Sequence, residues 1–202
     1  MLKSAKPPHM SLKNDTRPNE SEKQFLQLAY NRFYDLFEEV MSDPFWCEDE
    51  YHRFIIIREC FLIYSEILNY EPIKWVIELI KKVRPPMEGE IGKGYFNMVR
   101  NLLVHFPLFT NWNEIYFNRS IIKWCGVSRS IDGFLMKYEG HLPIKYRVWS
   151  FKKKEFTHVT ISFPSGYSSD NKIYLSSMLP EKEGAIFSLS FMRRILDTQI
   201  IK

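Results

Sequence analysis

The run Arg100-Asn101-Leu102-Leu103-Val104-His105 places three side chains able to do joint chemistry close together. Histidine changes charge near neutral pH and can carry a proton to or from a reacting oxygen. Arginine offers a planar, always-charged fork that suits a phosphoryl group. Asparagine can orient either partner. The run sits late in a helical pattern. Ile91, Tyr95, Met98, Val99, Leu102 and Phe106 recur at helical spacing and mark one buried stripe. Pro107 ends the pattern. Asn97, Arg100 and Asn101 fall away from the centre of the stripe, where polar groups do not help to pack a helix. Positions five apart on an ideal helix are separated by about 140°. Arg100 and His105 of one chain therefore diverge, with His105 nearer the stripe. Three arrangements fit. Pro107 disfavours helical geometry at Phe106 and can loosen the last turn. A two-fold dimer can set two motifs against each other. Or the pair is a core histidine beside a surface arginine.

Arg100-Asn101-x-x-x-His105 resembles the Arg-x(4–6)-His motif of the HEPN superfamily, in its Arg-Asn-x-x-x-His form. The resemblance covers roughly residues 20 to 140, and the last third of the chain lies outside it. Many HEPN proteins are metal-independent endoribonucleases, often toxins or phage-defence effectors, and they pair their motifs across a dimer. The resemblance thus implies an RNA substrate, a homodimer, an antitoxin or regulatory protein as a further partner, and no metal or cofactor. Its chemistry would be attack by the ribose 2′-OH on the adjacent phosphate, leaving a 2′,3′-cyclic phosphate and a 5′-hydroxyl. Arg100 would neutralise charge growing on the phosphoryl oxygens, His105 would move protons, and Asn101 would orient. One HEPN branch carries a tyrosine two residues after the histidine, which a partner nucleotidyltransferase modifies. Pro107 stands there in this chain, so that regulation is not expected.

Composition is compatible with this reading without demanding it. The 202 residues suffice for one domain or one and a half. A hydrophobic content of 45% with 16% aromatics supports a well-packed core and leaves rings over for an interface. The formal net charge of +4 is mildly basic, which an RNA substrate tolerates but does not require. Cys47, Cys60 and Cys125 are widely spaced, so neither a CxxC zinc site nor a disulfide framework is indicated, and a reducing, cytoplasmic location fits. No apolar run approaches the length of a membrane span, and the N-terminus has no apolar signal core. His52, His141 and His158 lack metal-ligand spacing with carboxylates. P-loop, GxGxxG, GxSxG and HExxH motifs do not occur.

The expected organisation is mainly α: a polar tail at 1–18, a HEPN-like antiparallel helical bundle at 19–140, and a separable C-terminal α+β extension at 141–202 carrying a small antiparallel sheet. A first helix starts near Asn19 with Ser21 as N-cap and exits at Pro44. A second helix spans about 49–69 and is heavily apolar through Ile55, Ile56, Ile57, Phe61, Leu62 and Ile67, which makes it the central helix. Arg58 and Glu59 within it are either part of a polar cleft or an ion-paired solvated edge. Pro72 opens a third helix over Ile73–Val83. A Gly- and Glu-containing loop to Gly94 delivers the motif helix, and Trp112 to Tyr138 continues mostly helical with a break near Gly126. Arg119, Lys123 and Arg129 there contact phosphates or solvate a face.

Beyond Gly140 the period shifts to two. Tyr146 and Val148 alternate with Arg147 and Trp149, and Lys152 to Glu155 reads as a hairpin turn. His158–Phe163 is a second strand, Ile173–Ser176 a third and Ala185–Phe191 a fourth, with a short terminal helix over Arg193–Ile200. Lys145, Arg147, Trp149, Lys152, Lys153 and Lys154 mix cations with an aromatic ring. Such a mixture binds single-stranded nucleic acid, or it is the charged, aggregation-resistant tip of a hairpin.

Overall fold

Asn19 starts the first helix, α1 (Glu20–Met41), through a reciprocal capping box with Glu22. The Glu22 amide donates to Asn19 Oδ1 at 2.9 Å, and the Asn19 amide donates to Glu22 Oε2 at 2.8 Å. The cap is thus Asn19 and not Ser21, which lies inside the first turn of the helix. Ser42 and Pro44 terminate the helix, and a 3-10 turn, Pro44–Cys47, follows. The second helix, α2, spans Glu50–Asn69. It packs against α1, against the motif helix α3 (Pro86–His105) and against the last helix, α6 (Glu181–Ile200). Its buried side holds Phe54, Ile57, Phe61, Tyr64 and Leu68. Ile55 and Leu62 of the same apolar run face solvent, since each lies about 100° around the helix from its buried neighbour. Glu59 pairs with Arg32 of α1 at 3.0 Å, the ion-paired edge rather than the cleft.

The computed structural model describes residues 19–69, 86–118, 128–166, 168 and 170–200. The expected 1–18 tail and Ile73–Val83 helix, and Arg119, Lys123, Cys125 and the break near Gly126, lie outside these residues. Among the described residues the fold is mainly α with a small antiparallel strand portion, and no helix is long and apolar enough to cross a membrane.

The stretch expected as a loop up to Gly94 is the first half of α3. Three glycines at 89, 92 and 94 argue against helix by propensity. Packing reverses that preference at Gly94, where a Cβ would stand 2.4 Å from the Phe134 ring of α4 (Ser128–Tyr138). Gly92 is different, with a Cβ position 3.9 Å from Phe187 and Phe191, an ordinary contact. Gly94→Ala should therefore lose about 1–3 kcal/mol by overpacking. Gly92→Ala should gain up to about 1 kcal/mol of helix propensity. Denaturant midpoints of the two variants should move in opposite directions, and a shared direction would contradict the packing described.

Of the segment Trp112–Tyr138, expected mostly helical, Ser128–Tyr138 is helix (α4), whereas the start is a 3-10 turn, Trp112–Glu114, and a short strand, β1 (Tyr116–Phe117). Asn111 caps that turn, accepting from the Glu114 amide at 3.0 Å. The hairpin is present as β2 (Ile144–Ser150) paired antiparallel with β3 (Glu155–Ile161), with the turn at 151–154 and Lys154 at φ 52°. The expected third strand is only β4 (Ile173–Tyr174). It pairs with β1, not with the hairpin, and runs into a one-turn helix, α5 (Leu175–Met178).

The expected fourth strand, Ala185–Phe191, is wholly inside α6. Its period-two appearance comes from Ser188 and Ser190 alternating with Phe187, Leu189 and Phe191. All five are buried, so this part of the helix has no fully wet face and its sequence carries no helical stripe.

One hydrophobic cluster joins residues on both sides of 140. Tyr95 meets Phe187 at 5.7 Å between ring centroids, Phe96 meets Phe191 at 5.7 Å, and Phe134 meets Phe163 at 5.9 Å. The buried Trp112 indole donates to the Leu179 carbonyl at 3.4 Å. The core therefore runs through the position where composition suggested a boundary.

Candidate functional site

The stripe of α3 does its expected work: Ile91, Tyr95, Met98, Val99 and Leu102 are at most 1% exposed. Its last position, Phe106, is half-buried, and the Phe106 amide still donates to Leu102 O at 3.0 Å before Pro107 ends the helix. Asn97, Arg100 and Asn101 are half-buried on the flank.

Arg100 is held by its neighbour. Its Nε and Nη2 both donate to Asn101 Oδ1, at 3.3 and 3.0 Å. Among the described residues no carboxylate pairs with it. Burial disfavours its charge and pulls its pKa below the ordinary arginine value, an effect the nearby Tyr64 partly offsets. Tyr64, from α2, is fully buried, and its hydroxyl has no hydrogen-bond partner among the described residues. Burial raises the Tyr64 pKa well above the usual phenol range, and Arg100 opposes that rise. A guanidinium and a phenol thus share the wall between α2 and α3. Sequence reading missed Tyr64, which sits in the apolar run Phe61-Leu62-Ile63-Tyr64 and looks there like packing alone.

His105 is exposed, contrary to its expected place near the stripe. It occupies the last turn, where the helix carbonyls favour a cation. Leu102, Leu103 and Phe106 fill the inner side there, so the ring is turned out. Five helical residues also separate Arg100 and His105 by about 7.5 Å along the axis and 140° around it. One chain does not bring the two together.

Of the expected RNA contacts, Lys145 and Arg147 lie on the exposed side of β2, in step with Trp149. Lys152 instead pairs with Asp43, and Lys153 approaches Glu155 at 3.9 Å. Across the ladder, Phe156 stands opposite Trp149 and His158 opposite Arg147. Neither was singled out for binding from sequence, although the period-two pattern of both strands puts them on this face once the register is known. Among the described residues no group of three or more His, Cys, Asp or Glu side chains converges as metal ligands. No family model matches the chain, and no curated protein or solved structure matches it either.

Proposed function

We propose that the chain is a metal-independent endoribonuclease of HEPN-like architecture that works as a homodimer. The observation that carries this reading is Arg100: half-buried, held by Asn101, and without a neutralising carboxylate among the described residues. Desolvating a cation is costly to folding, and an arginine so placed is poised for an anion supplied from outside. The resemblance of Arg100-Asn101-x-x-x-His105 to the HEPN motif makes that anion the scissile phosphate.

The exposed His105 has then to work with Arg100 of a second copy. The ribose 2′-oxygen attacks phosphorus while its proton passes to a general base. The bond from phosphorus to the 5′-oxygen breaks, and that oxygen takes up a proton. Arg100 stabilises the phosphorane oxygens, and His105 serves in proton transfer. By the same resemblance the enzyme acts in the cytoplasm as a toxin or anti-phage effector, held in check by an antitoxin or regulatory protein. Among the described residues Cys47 and Cys60 are free thiols.

One observation favours a second reading, a non-catalytic RNA- or protein-binding module: no hydrogen bond among the described residues orients the His105 ring. RNA cleavage in the presence of EDTA, wild type against His105→Ala, separates the two. Cleavage lost in the variant supports the enzyme, and absence of cleavage by wild type supports the binding module.

A further inference from the structure

The hairpin and the last helix enclose a cleft that the proposed chemistry does not use. It has a volume of about 300 Å³ and lies between β2–β3 and one face of α6, which presents Phe187, Ser190, Phe191 and Arg194 at helical spacing. Its outer wall is aromatic. Trp149 and Phe156 meet at 5.0 Å between centroids, and Phe151 stands beside them. These three rings are 40%, 54% and 42% exposed, side by side, whereas most aromatics among the described residues are buried.

Arg193 fixes the Phe151 wall, with its guanidinium 4.4 Å from that ring's centroid and 3.5 Å from Glu38. The Arg147 guanidinium lies 4.4 Å over Phe156. Arg147 and Lys145 have no acidic partner among the described residues, whereas Lys152 and Lys153 do. Inside the cleft Ser190 is 8% exposed, and its Oγ has no hydrogen-bond partner among the described residues.

We propose that this cleft binds a nucleotide, its base among Trp149, Phe151 and Phe156 and its phosphate on Arg147 and Lys145. The volume is at the small end of ligand pockets, room for one ring system. Exposed rings beside uncompensated cations are the pattern of single-stranded nucleic-acid sites. The source of the nucleotide is a single-stranded RNA, a choice that rests on the reading of the chain as an RNA-cutting enzyme; a free mononucleotide has the same chemistry.

The test uses the full chain with His105→Ala, so that RNA stays intact. A fluorescein-labelled oligoadenylate of eight nucleotides is titrated by anisotropy, with AMP as competitor, and AMP binding is measured directly by calorimetry. Trp149→Ala and Phe156→Ala should each weaken binding roughly 5- to 150-fold, the range for losing one base stack. Arg147→Ala should weaken it and flatten its salt dependence. All three side chains are exposed, so circular dichroism should show unchanged folds. AMP binding without oligonucleotide binding would assign the cleft to a free nucleotide. Oligonucleotide affinity unmoved by the three variants, or absence of binding by either probe, overturns the proposal. Binding through the cleft with no cleavage by wild type would sink the nuclease reading and leave the cleft standing. Cleavage by wild type with the three variants binding normally would do the reverse.

Discussion

An RNA carrying one 2′-deoxy residue at the scissile position should bind the protein and should not be cut at that bond, if the chain is the ribonuclease proposed. With histidine and arginine as the reacting groups, the nucleophile is the substrate's own 2′-oxygen, and its removal stops the chemistry whatever the affinity. Cleavage of ordinary RNA should persist in EDTA and leave a 2′,3′-cyclic phosphate. His105→Ala should lose about 10²–10⁴-fold, the usual share of general acid–base catalysis. Arg100→Ala should lose roughly 10²–10³-fold, comparable to removing one preorganised donor from a developing oxyanion. Arg100→Lys should not restore the rate, since a point charge does not reproduce the fork.

Stability supplies the control. Arg100 is half-buried with no carboxylate among the described residues, so Arg100→Met should melt at or above the wild-type temperature while losing activity. A large fall in melting temperature would make Arg100 a structural residue instead.

Mixing the two inactive variants tests the shared site. In a two-fold dimer with each site built from both copies, an Arg100→Ala chain paired with a His105→Ala chain keeps one intact site of two. Random pairing should then restore about a quarter of wild-type activity. A site built within one chain recovers nothing on mixing, and that result, or full activity from a monomer in light scattering, would remove the dimer from the mechanism.

Truncation after Glu139 abolishes the fold, the second large effect expected. The composition shift near Gly140 suggests a module that can be cut away. The hydrophobic cluster, however, draws on residues from both sides of that position. The cut removes Phe187, Leu189, Met192, Ile195 and Leu196 of α6, all at most 4% exposed. At about 1.5–3 kcal/mol for each buried side chain, their loss is roughly 8–15 kcal/mol, as large as the whole net stability of an ordinary domain. It also strips β1 of its partner β4 and removes Glu181, which pairs with Arg53 of α2 at 3.3 Å in a largely buried position. The fragment should be insoluble or give no cooperative melt by circular dichroism. A soluble fragment with a sharp helical transition would show that residues 19–139 form a core of their own.

Local signals carried much of this protein. Asn19 and Pro44 bracket α1 closely, because a cap and a proline act on their own backbone. The stripe from Ile91 to Leu102 marks α3, because one face of it is buried and the other is not. The hairpin is legible because β2 and β3 each have one wet face, so their residues alternate. Other features were decided only by the tertiary structure. Gly94 sits in a helix because Phe134 occupies the space where a side chain would be. Ala185–Phe191 is helical although it alternates, because the lack of a fully wet face removes the periodicity by which a helix is read. Tyr116–Phe117 becomes a strand only through Ile173–Tyr174, a partner far along the chain that no local window contains. At the candidate site the residue types were visible in sequence, but their exposure was not. Arg100 is turned toward Tyr64 and His105 toward solvent because α2 covers one flank of α3 and the helix ends at Pro107. The order of amino acids determined which groups are present; the packing of neighbouring elements decided which of them meet.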